Sequence, residues 1–430
     1  METIACPDCD LLQRIPPLPV GAKASCPRCG HALATRPSDP IDRPLALTLA
    51  AAIVFIVANT SPLMGLSVFG LHASTTIVGG AYEMWLQGRE VTAAIVAFCA
   101  VIAPAGYLLF MFTVLLAVKR PPAPHWVGEL LRWAHHLRAW SMNEVMLLGI
   151  LVALIKIAEL ASVDPGIGMF AVGGLVVLFP AIMVIFDSRE IWQRVQWADT
   201  GMPAPIASPG FHHGTATTTG AALTAAQAGL VACETCGLLS GPAGAAESEH
   251  CPRCGGELAP RHHHAIQHTW ALVIAAAICF IPANALPVLT TNTLTSSEPD
   301  TILGGVVFLY TSGSWPLALI VLIASVMIPL GKLVALAYLL VTVQRGSLGS
   351  SRERTRLYRM VEFIGRWSML DVFVDTFTVA LVQLQPLMSV EPGPGVLFFA
   401  AVVVLTMLAA ESFDPRLIWD AGNPQRGGDG

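Results

Sequence analysis

Charge is what this chain has least of. Asp, Glu, Lys and Arg together make up 12% of its 430 residues, against roughly a quarter in soluble domains. So few charges do not suit the two or three soluble domains that this length would ordinarily suggest. Familiar catalytic signatures are missing too. There is no G-x-x-x-x-G-K-[ST] phosphate loop, because Gly331-Lys332 sits inside an apolar run without the upstream glycine. Neither a nucleophile elbow nor an H-E-x-x-H pair is present. ATP hydrolysis by this chain is therefore not expected, nor is any other enzymatic activity, and no nucleic-acid partner is expected. The chain opens on Met1-Glu2 and then cysteines rather than a basic-then-apolar leader, so no cleaved signal peptide is expected.

What replaces charge is hydrophobicity, at 54% of residues. Several apolar runs exceed the ~20 residues that cross a bilayer as a helix, so the chain reads as a multi-spanning membrane protein. Residues 1–42 form a small polar module. Spans are expected from Pro44 to about Leu63, over Val91–Val118, over Trp140–Ala161 and over Met169–Phe186. Gly65–Arg89 reads as a short turn or hairpin outside the membrane, and Lys119–Arg138 as an interfacial amphipathic segment. Residues 196–229 are rich in Pro, Ser, Thr, Gly and Ala and read as a flexible linker. A second polar module (230–262), a second membrane segment (263–420) and a disordered tail (421–430) complete the domain plan.

The second half repeats the first. Thr76-Ile77-Val78-Gly79-Gly80 corresponds to Thr301-Ile302-Leu303-Gly304-Gly305, and Trp140-Ser141-Met142 to Trp367-Ser368-Met369. Phe186-Asp187-x-Arg189-x-Ile191-Trp192 corresponds to Phe413-Asp414-x-Arg416-x-Ile418-Trp419. This is an internal duplication. The fold class that follows is an α-helical polytopic membrane protein. It has two parallel repeats of four transmembrane helices, each preceded by a small cytoplasmic zinc ribbon. The cytoplasmic placement of ribbons and termini rests on the six arginines of Arg345–Arg366 and the four basic residues of Lys119–Arg138, by the positive-inside rule.

Eight of the ten cysteines form four C-x-x-C pairs: Cys6 and Cys9 with Cys26 and Cys29, then Cys233 and Cys236 with Cys251 and Cys254. Two such knuckles bring four thiolates into the tetrahedron of a structural zinc. One zinc per ribbon is expected, with iron the alternative, since four-thiolate sites suit both metals. Disulfides are disfavoured in a reducing cytoplasm.

Ionisable groups inside a span are costly and point to function. Lys332 lies thirteen residues before Arg345, roughly 20 Å deep at 1.5 Å per residue. Asp371, Asp375 and Thr378 share a helix face by their spacing, and Thr406 reaches a depth similar to that of Asp375. Lys332, Asp375 and Thr406 form a candidate transport or coupling site; the bland alternative is a buried ion pair that fixes helix packing. The first half carries Tyr107, Leu148 and Phe179 at the corresponding positions, which makes the second half the one with chemistry. Asn59 with Pro62, and Asn284 with Pro287, end the first span of each half. They read as proline breaks whose freed carbonyls are met by Asn.

Across these motifs the sequence resembles the paraquat-inducible protein A family of bacterial inner-membrane proteins. The resemblance runs through both cysteine modules, the F-I-x-A-N-x-x-P motif and the W-S-M-x-[DE]-V motif, and covers nearly the whole chain. It implies a place in the bacterial inner membrane beside a periplasmic, oligomeric protein with mammalian-cell-entry domains that forms a hydrophobic tunnel. It also implies a cargo of phospholipid exchanged between the inner and outer membranes, and puts the family's membrane lysine and its polar partner on Lys332 and Thr406. Two other readings stand beside lipid transport: a membrane redox protein with cysteine-bound iron, and a non-transporting anchor for the periplasmic partner.

Overall fold

The computed structural model describes residues 2–68, 71–88, 90–120, 122–158, 162–195, 223–241, 250–259, 261, 264–293, 297–311, 313, 315–347, 349–369, 372–374, 376, 379, 383–384 and 388–420. The chain opens with two antiparallel hairpins, β1 (Glu2–Ala5) with β2 (Leu12–Ile15) and β3 (Lys23–Ser25) with β4 (Ala32–Thr35). The first repeat follows: α1 (Asp42–Thr60), a hairpin of β5 (Met64–Val68) and β6 (Leu71–Thr75), α2 (Ile77–Leu86) and α3 (Glu90–Val118). After these come α4 (Trp126–Trp140), α5 (Asn143–Ala158), β7 (Ser162–Pro165), α6 (Ile167–Ile185) and α7 (Ser188–Arg194). A second small module contains β8 (Val231–Ala232) and β9 (Leu239–Ser240).

The second repeat reuses the order. It runs through α8 (Ala265–Ala285), β10 (Leu289–Thr293), β11 (Ser297–Asp300), α9 (Ile302–Thr311), α10 (Ala318–Gln344) and α11 (Ser351–Gly365). It ends with β12 (Gln383–Leu384), β13 (Met388–Pro392), α12 (Gly395–Ser412) and α13 (Leu417–Asp420). Among the described residues six helices, α1, α3, α6, α8, α10 and α12, are long and apolar enough to cross a membrane. The third span expected of the first half is α5, whose 16 residues fall short of that length. Its counterpart falls largely on residues outside the described ones.

Within each repeat the first and last spans pack together, α1 on α6 and α8 on α12. The contact is closed at one end by glycine. Gly168 donates to Pro62 O at 3.0 Å and Gly395 to Pro287 O at 2.9 Å. A Cβ on Gly166 would stand 2.2 Å from Pro62 O, and one on Gly393 2.2 Å from Pro287 O, so neither position admits a side chain without moving backbone. The same junction carries the sheets: β5 pairs with β6 and β7, and β10 with β11 and β13, all antiparallel.

Two features differ from the sequence reading. Gly65–Arg89, expected to be a turn or hairpin, holds a hairpin followed by a ten-residue helix, α2. Its start is capped by Thr76, whose side chain accepts from Gly79 N at 3.0 Å, as Thr301 does from Gly304 N at 3.1 Å. A threonine oxygen that satisfies an orphan N–H is a helix-start signal, and it outweighs the turn tendency of the two glycines. Second, α3 and α10 each contain one π-helical stretch, Phe98–Ile102 and Ile323–Met327. Pro104 and Pro329 stand two residues beyond the ends of these stretches. A proline has no N–H to give and clashes with the carbonyl four residues back, and widening the helix to i→i+5 bonding relieves both problems.

Candidate metal centres and an intramembrane lysine

Each cysteine pair sits in a tight turn that its backbone builds for it. Asp10 N donates to Cys6 O at 2.8 Å, and Gly30, Gly237 and Gly255 repeat that contact on Cys26, Cys233 and Cys251, each at 2.8 Å. The turn requires a left-handed residue after the second cysteine: φ is 60° at Asp10, 78° at Gly30, 70° at Gly237 and 67° at Gly255. Glycine takes this conformation without cost, and Asp is among the few others that tolerate it.

The turns bring the thiols into two compact sets. Cys6 Sγ is 3.4 Å from Cys29 Sγ and Cys9 Sγ 3.5 Å from Cys26 Sγ; in the second set Cys233–Cys254 is 3.4 Å and Cys236–Cys251 3.5 Å. Within each set all four sulfurs lie within 4.8 Å of one another, and all eight cysteines are buried. Sulfurs at ~2.3 Å from a zinc ion in a tetrahedron are roughly 3.8 Å apart, whereas a disulfide needs about 2.05 Å. The residues fit a metal ion in each ribbon. His31 turns away from the first set, with Nδ1 3.1 Å from Asp8 Oδ2.

The ribbons dock crosswise. In each Cys-Pro-Arg-Cys turn the arginine donates to the carbonyl of an opposing cysteine, Arg28 to Cys9 O at 3.4 Å and Arg253 to Cys236 O. Arg28 of the first ribbon then lies over Trp419 of the second repeat, 4.5 Å from the ring centroid. Arg253 of the second ribbon lies 5.8 Å from the centroid of Trp192 in the first repeat. Two more ties hold the first ribbon to the second half. Arg359 on α11 donates to Asp8 Oδ2 at 2.7 Å, to Cys29 O at 3.2 Å and to Cys29 Sγ at 3.4 Å. Arg261 bridges Asp10 and Asp420, at 3.0 and 2.8 Å. Burial alone would raise the Asp8 carboxyl, but His31 and Arg359 outweigh it and hold it below the usual carboxylate range.

The conserved-in-both-halves Phe-Asp-x-Arg turn is an ion pair in the second half. Asp414 is 1% exposed and accepts from Arg416 N at 3.0 Å and from Arg416 Nε at 2.8 Å. Glu234 of the second ribbon reaches the same guanidinium at 2.5 Å.

Lys332 is 2% exposed on α10. Its Nζ donates to Thr406 Oγ1 on α12 at 2.7 Å and to Gly365 O, at the end of α11, at 3.5 Å. The Thr406 hydroxyl passes its own hydrogen to Val403 O at 3.0 Å. Among the described residues no carboxylate forms an ion pair with Lys332. Asp371, Asp375 and Thr378, the other candidates, lie outside the described residues. In the first half the equivalent positions are two rings in contact, Tyr107 and Phe179, with centroids 5.6 Å apart. Gly365 O is the partner that sequence reasoning missed, since a backbone acceptor carries no residue signal.

Asn59 and Asn284 each donate from Nδ2 to the carbonyl four residues back, Phe55 O and Phe280 O, both at 2.9 Å. These are not carbonyls freed by Pro62 or Pro287, which lie beyond the helix ends; those prolines meet the glycines of the last span instead.

Two tandem helical membrane repeats, each led by a buried four-cysteine cluster, define a duplicated multi-pass membrane protein. A model of the family described as "Paraquat-inducible protein A" matches residues 41–196 and 266–423, one stretch per repeat, and the chain belongs to that family. It is 33% identical to "Intermembrane transport protein PqiA" of Escherichia coli (strain K12), over 97% of this chain and 95% of that one. It is 30% identical to "Lipophilic envelope-spanning tunnel protein A" of the same organism, over 97% and 91%. A "Probable intermembrane transport protein" of Haemophilus influenzae is 29% identical over 97% and 96%. No solved structure matches the chain.

Proposed function

We propose that this protein is the inner-membrane component of a lipid-trafficking system between the bacterial inner and outer membranes. It passes phospholipid to, or takes it from, a periplasmic tunnel built of mammalian-cell-entry domains. The relatives named as transport and tunnel proteins support the transport class. The observation that carries a role in the transport step is Lys332, buried on a membrane helix against Thr406, where the sister repeat has two aromatic rings. A lysine is retained at such depth against a cost of several kcal/mol. Its charge is free to change when a neighbouring carboxylate or a proton approaches. Proton coupling through Lys332 and Asp375, with Asp371 and Thr378 beside them, belongs to this reading. So do four spans per repeat, ribbons and termini in the cytoplasm, and zinc as the metal of both ribbons.

The test is movement of labelled phospholipid between membranes in cells that carry Lys332→Ala at normal expression. Transport is expected to fall at least tenfold (about 1.4 kcal/mol or more in a rate-limiting barrier), and less for Thr406→Val. Full transport by Lys332→Ala would rule out the site and leave the protein as an anchor for its partner.

A further inference from the structure

On the ribbon side the two repeats meet around a cavity of about 630 Å³, within the ~300–1,000 Å³ range of small-molecule sites. Equivalent positions from both repeats line it: Leu131 and Tyr358, His135 and Glu362, Phe186 and Phe413. The duplication has diverged here in the sign of its charge. The first-repeat wall carries Arg138, beside a His135 that burial, Arg138 and His136 push down to about 4 and so keep neutral, where the second repeat has Gly365 and Glu362. The second-repeat wall carries Glu411, where the first has Val184.

Arg138, Arg189 and Glu411 have no ion pair among the described residues, while Arg416, the counterpart of Arg189, is held by Asp414 and Glu234. The separation of sign is felt locally. Burial, and after it the carboxylates of Glu362, Asp8, Asp414 and Glu411, push the Tyr358 hydroxyl far above its ordinary value. Nothing in the folding of the repeats needs these unpaired opposite charges around one cavity, whose low-dielectric walls focus their field. A ligand with both signs satisfies both walls. Toward the membrane the lining turns apolar with Tyr107, Met111 and Met183.

We propose that this cavity binds a zwitterion that carries a phosphate and an ammonium group, the headgroup chemistry of an aminophospholipid. Arg138 and Arg189 take the phosphate and Glu411 the ammonium. The apolar side suits the first carbons of the acyl chains. This names the cargo headgroup of the transport reading above and rests on it for the source of the ligand.

The experiment measures binding to the full-length protein purified in mild detergent. Its probes are a short-chain phosphatidylethanolamine, the phosphatidylglycerol with the same chains, and glycerophosphoethanolamine without chains. The ethanolamine lipid is expected to bind about tenfold tighter than the glycerol lipid. Arg138→Gln weakens both by about tenfold, and Glu411→Gln weakens only the ethanolamine lipid by a similar factor, the size of one charge-assisted contact. Both side chains are exposed, so the variants keep the fold, checked by an unchanged melting temperature. Equal affinity for the two lipids, or variants that change neither, would overturn the proposal. Tail-free glycerophosphoethanolamine binding as tightly as the lipid keeps the zwitterion site but assigns it to a soluble ligand; a tenfold dependence on the tails assigns it to the lipid. Absent binding alongside a transport-dead Lys332→Ala overturns this inference alone.

Discussion

Arg359→Gln strips the first ribbon of its main tie to the second repeat without touching a cysteine. The guanidinium side chain is 31% exposed and its partner Asp8 11%, so the pair is only partly screened by water. Its bonds to Asp8 and to Cys29 Sγ are charge-assisted, and such bonds contribute about 1.5–3 kcal/mol when buried. The exposed third of Arg359 brings this down to about 1–2 kcal/mol. After the substitution Asp8 still has His31. Folding of a module this small is coupled to metal binding, so the loss appears as weaker metal retention, by about 5–30-fold. The assay loads the full-length protein with zinc and follows release to a chromogenic chelator. In the variant half of the zinc should leave about 5–30 times faster, while the other half, held by Cys233, Cys236, Cys251 and Cys254, keeps the wild-type rate. Arg359→Lys should recover part of the effect, because it keeps the charge but not the fork. Release at the wild-type rate from both sites, or equal acceleration of both, would refute the reasoning.

Two further predictions concern stability. Gly393→Ala places a Cβ 2.2 Å from Pro287 O, and forcing backbone apart there should cost about 1–3 kcal/mol or more. Gly305→Ala, with nothing within 4 Å, is the matched control: the first should lower the melting temperature in detergent and the second should not. Asp414 titrates below its ordinary 3.8, because Arg416 outweighs the upward push of burial. A depressed carboxylate stabilises the fold fully above its unfolded value and loses that contribution as pH falls through the folded one. Asp414→Asn should therefore melt lower at pH 7, by about 3 kcal/mol for a broken buried pair. It should also lose less stability than wild type on acidification below about 3.8. Parallel losses in the two proteins would show that the pair does not carry the acid response.

What the sequence made legible follows the kind of physics each feature depends on. The ribbons were readable because a cysteine turn is local: spacing, and a glycine after the second cysteine in three of four turns, specify it almost completely. The meeting of Lys332 with Thr406 was readable too, since a fixed rise turns residue counts along two helices into comparable heights. Which backbone group completes their contact was not, because Gly365 O depends on how α11 ends against α10. The helix α2 was missed although Thr76 announced it, since glycine and β-branched residues suggested a turn. Pairing of β5 with β7, and the choice of Trp419 rather than Trp192 for Arg28, arise from long-range packing between segments that no local pattern connects.

The crosswise seating of the ribbons also has a consequence for biogenesis. The first ribbon is synthesised before α1, yet Arg359 and Trp419, the groups it rests on, arrive only with the second repeat. Until then it has no seat, whereas Trp192, the seat of Arg253 in the second ribbon, is already made when that ribbon is synthesised. The first ribbon thus waits for the second repeat: its seating reports that α11 and α13 have been made. A truncated chain that lacks α11 to α13 would leave that ribbon exposed, a mark by which quality-control proteases can tell an unfinished molecule from a finished one.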